Sequence, residues 1–247
     1  MRTLLITGGA SGIGLATARR IGRRMHVIIA DLDGEKAAAA AADIRASGGM
    51  ATGMPVDVTQ RAAVVTLMMQ IEREIGLLDA LFNNAGLALR NLAEDVSEQE
   101  WSRMIDVHVK GTFLCCQAAL PRMCERRRGA IVNMSSDYAV AGFPRGAAYA
   151  AAKSAIFSLT KSLAVEFAPF GIRVNALGPG PIETPLLRDG RSGDEWKAAA
   201  RERGELLPIG RIGQPDEIAS VVDFLLSESA SYMTGQIVHP NGGQVMS

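Results

Sequence analysis

Thr3-Leu4-Leu5-Ile6-Thr7-Gly8-Gly9-Ala10-Ser11-Gly12-Ile13-Gly14 is a short apolar run that breaks into a glycine-rich turn. A continuous apolar run of this length reads as a strand buried on both faces. From Gly12 to about Arg24 the chain reads as a helix. A strand that passes through glycines into a helix opens a parallel βαβ unit. Gly8 permits the tight turn, Gly12 lets the backbone come close to a pyrophosphate, and Gly14 lets the helix pack on the strand. A phosphate held there meets free N–H groups and the positive end of a helix, and Ser11 and Ile13 lie in the same loop. The spacing is Gly-x3-Gly-x-Gly rather than GxGxxG, so its weight comes from its place between strand and helix.

The same alternation continues along the chain. Further apolar runs at His26–Ala30, Ala51–Val56, Ala80–Asn83, Ala130–Met134, Arg173–Leu177 and Gln236–His239 predict strands. Helix-length segments lie between them, at about Gly12–Arg24, Gly34–Ala46, Arg61–Ile75, Glu98–Arg127, Ala147–Ala168 and Pro215–Leu226. Short apolar strands separated by helices imply a parallel sheet covered on both faces. With right-handed crossovers the expected fold is a doubly wound α/β sheet of seven strands in a single domain, residues 1–247, with its ligand site beyond the strand C-termini. Gly178–Asp194 has no obvious element, and the stretch from 185 to about 207 is expected to act as a substrate-binding lid.

The 247 residues suffice for one large domain, and 48% hydrophobic with 21% charged residues is a globular composition. The formal charge is zero, so neither nucleic acid nor an anionic membrane is an implied partner. No apolar run is long enough to span a membrane, and the N-terminus enters a strand with no room for a signal peptide. A cytoplasmic protein is expected. Cys115, Cys116 and Cys124 share one helical segment, form no CxxC or Cys/His set, and read as reduced core residues. His26, His108 and His239 are too scattered to suggest a metal site. The arginine clusters at 19–20, 23–24 and 126–128 fall near helix C-termini, where cations complement the dipole.

Two further features carry chemistry. The second strand ends at Ala30-Asp31, followed by Leu32-Asp33-Gly34. A carboxylate at that point accepts hydrogen bonds from both hydroxyls of an adenosine ribose and repels a 2′-phosphate, which favours NAD(H) over NADP(H). The competing reading makes Asp31 a helix N-cap. The other feature is Tyr149, four residues before Lys153. On a helix these share a face, and a nearby ammonium is expected to lower the phenol pKa from its usual ~10 toward working pH.

Taken with Asn83-Asn84-Ala85-Gly86, Ser136 and Pro179-Gly180, these motifs follow the order and spacing of the short-chain dehydrogenase/reductase family. The chain resembles its single-domain, Rossmann-type members of this length from end to end, through Thr234-Gly235-Gln236. The resemblance implies that Asp57 and Val58 contact adenine, with Leu32 beside Asp31, and that Asn84, Ala85 and Gly86 line the adenosine ribose. It places Pro179, Gly180, Ile182 and Thr184 around the nicotinamide. Ser136, rather than Ser135, has the family's usual spacing to Tyr149.

The implied mechanism has Ser136 orient the substrate oxygen, Tyr149 act as general acid–base, and Lys153 bind the nicotinamide ribose and tune the phenol. His108 stands where the family usually has an asparagine that serves the proton path largely through its backbone carbonyl. Two roles follow for His108: a conformational substitute, or an imidazole that joins the path near neutral pH. Tyr138 has Gly142, not lysine, four residues on; with Asp137, Phe143 and Leu186 it is expected to line the substrate pocket. A secondary alcohol or ketone of polyol, sugar or hydroxy-acid type is the expected substrate, with Arg188 or Arg191 as candidates to meet a carboxylate. An NADPH-dependent ketoacyl-carrier-protein reductase, docking through the arginines at 126–128, is the alternative enzyme. A non-catalytic dinucleotide sensor is the alternative from another class. Ile156, Leu159, Leu163 and Phe167 read as a spare apolar face for a two-fold helix interface, in keeping with a homotetramer or a dimer.

Overall fold

The opening apolar run forms β1 (Thr3–Thr7), and every residue in it is buried. The computed structural model describes residues 2–246. The further strands are β2 (His26–Asp31), β3 (Ala51–Pro55), β4 (Ala80–Asn83), β5 (Gly129–Met134), β6 (Ile172–Leu177) and β7 (Ile237–Val238). All are parallel, in the order β3-β2-β1-β4-β5-β6-β7. Alternation along β1 sends Leu4 and Ile6 to one face and Leu5 to the other. The first face is covered by α1 (Gly12–Ile21), α2 (Gly34–Ala46) and α9 (Pro215–Leu226), through residues such as Ile21, Ile44 and Val222. The second is covered by α3 (Arg61–Glu74), α5 (Gly111–Glu125) and α6 (Ala147–Phe167), through Leu67, Cys116 and Leu163. The chain is thus a single-domain, doubly wound sheet. Its winding reverses between β1 and β4, which opens a crevice at their C-terminal ends.

Three expectations change. The segment read as one helix, Glu98–Arg127, is α4 (Glu98–Ile105), a π turn at Asp106–Lys110, and α5. The π turn closes with the Gly111 N–H donating to the Asp106 carbonyl, and it seats His108 in the interior. The supposed loop after Gly178 contains a short helix, α7 (Pro185–Arg188), and is followed by α8 (Gly193–Glu205). The spare apolar face on α6 is not spare. Ile156 and Leu163 are 0% and 6% exposed in the single chain, and Leu159 and Phe167 pack against the same core. The helix turns that side toward the sheet. Phe113 and Val165 are exposed large apolar residues of α5 and α6. Among the described residues, no helix is long and apolar enough to cross a membrane.

Candidate active site

At the crevice the glycine turn leaves β1 with Gly8 at φ 61°, a left-handed conformation that favours glycine. A Cβ on Gly8 would stand 2.8 Å from the Ala85 Cα, and one on Gly14 would stand 2.5 Å from the Gly8 carbonyl oxygen. Both glycines are therefore required by close approach of backbone. Asn84 ties this turn to β4: its Nδ2 donates to the Thr7 and Gly8 carbonyls at 3.2 and 2.8 Å. The Thr7 hydroxyl in turn accepts from the Asn84 and Ala85 N–H groups, both at 3.1 Å. Ser11 caps α1 without using its side chain, so the first N–H groups of that helix point into the crevice with no side chain upon them.

Asp31 ends β2 beside this turn, accepting from the Ala10 N–H at 3.1 Å and the Asp33 N–H at 3.2 Å. The cap of α2 is Asp33, which accepts from the Lys36 N–H at 3.0 Å. The N-cap role proposed for Asp31 is therefore taken by its neighbour. A turn with room for close backbone approach, a free helix N-terminus and a carboxylate at the next strand end together fit a dinucleotide.

A cleft of about 530 Å³ runs from this turn across the strand ends. Gly14 packs behind the turn, and Arg188 and Arg191 lie outside the cleft; the other residues expected to bind cofactor or substrate or to act in catalysis line it. Asp31, Leu32, Asp57 and Val58 stand at one end, with Gly8, Ser11, Gly12, Ile13, Asn84, Ala85 and Gly86 along the floor. Pro179, Gly180, Ile182 and Thr184 form a wall, and Ser136, Tyr149, Lys153 and His108 a buried corner. Asp137, Tyr138, Phe143 and Leu186 lie beyond.

β5 and α6 build the corner. Ser135 spends its hydroxyl on the Lys153 carbonyl at 2.7 Å. The Ser136 hydroxyl donates to Asp137 Oδ1 and accepts from the Tyr138 N–H, both at 3.2 Å. Lys153 Nζ donates to the Met134 carbonyl at 2.9 Å and lies 5.5 Å from the centre of the Tyr149 ring. Burial pushes the Lys153 ammonium down to about 7. Burial also pushes the Tyr149 phenol up to about 12; the Ser136 hydroxyl works the other way, and the Asp137 carboxylate adds to the rise. The expected lowering by Lys153 is thus not delivered by the protein's own groups: the ammonium is turned to a carbonyl and is itself desolvated.

His108 is 2% exposed. Its Nε2 sits 2.9 Å from the Leu87 carbonyl and 3.2 Å from the Leu87 N–H, and its ring meets Tyr149 edge-on at 5.5 Å. Burial, aided by the Lys153 charge, holds the imidazole well below 6.5.

The far end differs from the sequence reading. Arg188 pairs with Glu183 at 2.7 Å and Arg191 with Glu195 at 3.6 Å, and neither lines the cleft. Trp196, expected in the lid, is buried with its Nε1 donating to Glu183 at 3.1 Å. Arg90, Arg103, Val107 and Arg203 line the cleft instead. Nothing local marks Arg103 or Arg203, whose direction depends on how α4 and α8 are set against the sheet.

A family model described as Enoyl-(Acyl carrier protein) reductase matches residues 8–244. The chain belongs to the short-chain dehydrogenase/reductase family. It is 38% identical to the 3-oxoacyl-[acyl-carrier-protein] reductase FabG of Staphylococcus aureus (strain Mu50 / ATCC 700699), over 99% of this chain and 98% of that one. It is 39% identical to 2-(S)-hydroxypropyl-CoM dehydrogenase 3 of Xanthobacter autotrophicus, over 97% of this chain and 95% of that one. Among solved structures, levodione reductase superposes with a TM-score of 0.93 at 34% identity, covering 98% of this chain and 97% of that one. This short-chain dehydrogenase/reductase is therefore an oxidoreductase of a family that binds a nicotinamide dinucleotide.

Proposed function

We propose that the cleft oxidises a secondary alcohol, or reduces its ketone, against NAD(H). The convergence of Ser136, Tyr149 and Lys153 in one buried corner, beside the glycine turn, supports this reading above all else. A nicotinamide dinucleotide, when bound, supplies the hydride donor or acceptor. Ser136 presents its hydroxyl to the substrate oxygen and holds it toward Tyr149. Tyr149, kept protonated by its surroundings, gives its proton to that oxygen as negative charge develops there during reduction. Lys153 brings positive charge and hydrogen-bond donors to the ribose side of the corner. In the oxidative direction Tyr149, as phenolate, accepts the hydroxyl proton of the alcohol, a form that added positive charge beside it favours by lowering its pKa. Asp31, with its carboxylate oxygens at the end of β2, supports NAD over NADP. The segment of α7 and α8 serves as the lid.

The similarity to FabG favours a second reading, a ketoacyl-carrier-protein reductase. Two of the three arginines that would dock the carrier are engaged otherwise. Arg126 reaches Asp79 at 3.2 Å and the Leu78 carbonyl, and Arg127 donates to the Pro169 carbonyl at 2.5 Å. A panel of secondary alcohols, ketones and acyl-carrier thioesters, run with NADH and NADPH in parallel, separates the two readings. Within the first, Tyr149→Phe abolishes turnover and leaves NADH binding nearly intact; substantial residual activity in that variant overturns it. Exposed Phe113 and Val165 support a homotetramer assembled across α5 and α6, and a monomer by light scattering contradicts it.

A further inference from the structure

Hydride transfer leaves three cleft arginines without a task. Arg90 follows β4, Arg103 lies in the last turn of α4 and Arg203 in the last turn of α8. All line the same cleft as Ser136 and Tyr149. They arrive from three separate segments of a chain whose formal net charge is zero, so their meeting is made by the fold and not by a basic run. Placement near helix C-termini accounts for a cation at Arg103 and Arg203. It does not account for both lining the cleft. Arg201, near the same end of α8, shows the alternative: its side chain is 82% exposed and paired with Glu205 at 2.7 Å.

Their partners are few. Arg203 Nη2 donates to the Tyr138 phenol oxygen at 2.9 Å, and the Tyr138 ring is stacked on Phe143 with centroids 3.8 Å apart. This fixes one guanidinium against a rigid aromatic shelf. Arg90, 29% exposed at its side chain, is 3.7 Å from Asp189, a long contact in a pair open to water. Among the described residues, no hydrogen bond or ion pair engages the guanidinium of Arg103. Asp189 meets Arg90 at 3.7 Å, and Asp137, a lining carboxylate, is occupied with the Ser136 hydroxyl and pushed up by burial to about 6. Guanidinium forks suit the paired oxygens of a carboxylate or phosphate, and do so better than they suit a neutral polyol.

We propose, building on the hydride-transfer reading, that the alcohol or ketone taken by this cleft carries an acidic group, held by Arg203 and Arg103 with Arg90 at the rim. The test compares matched pairs: α- and β-keto acids with their methyl esters, and dihydroxyacetone phosphate with dihydroxyacetone. Binding is measured by calorimetry on the enzyme with oxidised cofactor, where a ketone receives no hydride, and turnover separately by NADH absorbance.

The expected result is an acid or phosphate bound at least about ten-fold more tightly than its neutral partner, the range of a charge-assisted contact. That ratio falls toward one in Arg103→Gln and Arg203→Gln, recovers in part in Arg203→Lys, and is unchanged in Arg201→Gln. The arm with the larger ratio identifies carboxylate or phosphate. Neutral partners that bind as well, no binding by any anion, or ratios unmoved in both glutamine variants overturn the proposal, whatever the turnover. Arginine-dependent anion binding without NADH oxidation by any member overturns the hydride reading instead.

Discussion

His108 and Lys153 show how burial sets the chemistry of single residues. Burial and the nearby Lys153 both oppose the charged form of His108 and hold its imidazole well below the usual histidine range. Its work is to fasten Leu87 through Nε2 and to back the Tyr149 ring. His108→Asn is therefore expected to keep the apparent pKa values of the pH–rate profile; loss or displacement of a limb near neutrality would show the imidazole titrating. The sequence pointed to the Tyr149–Lys153 pair but not to its pKa values. Helical spacing brings the two together, whereas the direction of the ammonium and the dryness of the corner come from β5 lying beneath α6.

At the scale of elements, close contacts of backbone decide more than propensity. Gly14 lets α1 pack against the Gly8 carbonyl, and a Cβ there would also stand 2.8 Å from Asn84 Nδ2. Gly14→Ala is expected to destabilise the fold by about 1–3 kcal/mol, the usual cost of overpacking, and to weaken cofactor binding as the turn shifts. Gly142→Ala is the control, since nothing lies within 4 Å of its Cβ position; thermal unfolding of the pair checks this.

Elements with an apolar signature were legible. The strand runs and α2, α3, α6 and α9 lie within a few residues of their expected bounds. Helix α8 was not, because Trp196 and Gly204 are its buried residues and the rest of its surface is polar. The π turn was hidden for another reason. Its residues differ little from those of a regular helix, and the extra residue in the turn is placed by the burial of His108 and by Gly111 packing on Val58.

Across the whole molecule, the site carries a stability cost that follows pH. In the folded chain the Lys153 ammonium titrates at about 7 instead of 10.5. The unfolded chain then binds more protons between those values, so stability rises with pH across that window. Lys153→Met removes the buried charge and forfeits one hydrogen bond to the Met134 carbonyl, worth about 1 kcal/mol. The variant is expected to melt above the wild type at pH 7 or below, with the gap closing as pH approaches 10.5. Equal melting temperatures throughout would contradict the assignment.

The bonds among Thr7, Gly8, Asn84 and Ala85 reach further than the crevice they frame. They join the strands on either side of the point where the winding reverses, so β1–β3 and β4–β7 cannot part there without breaking four hydrogen bonds at once. The Asn84 and Ala85 amides should therefore exchange with deuterium together, at the rate of the slowest global opening. Thr7→Val, which keeps the shape of the side chain but cannot accept either N–H, should let the two halves breathe separately and turn one exchange class into two.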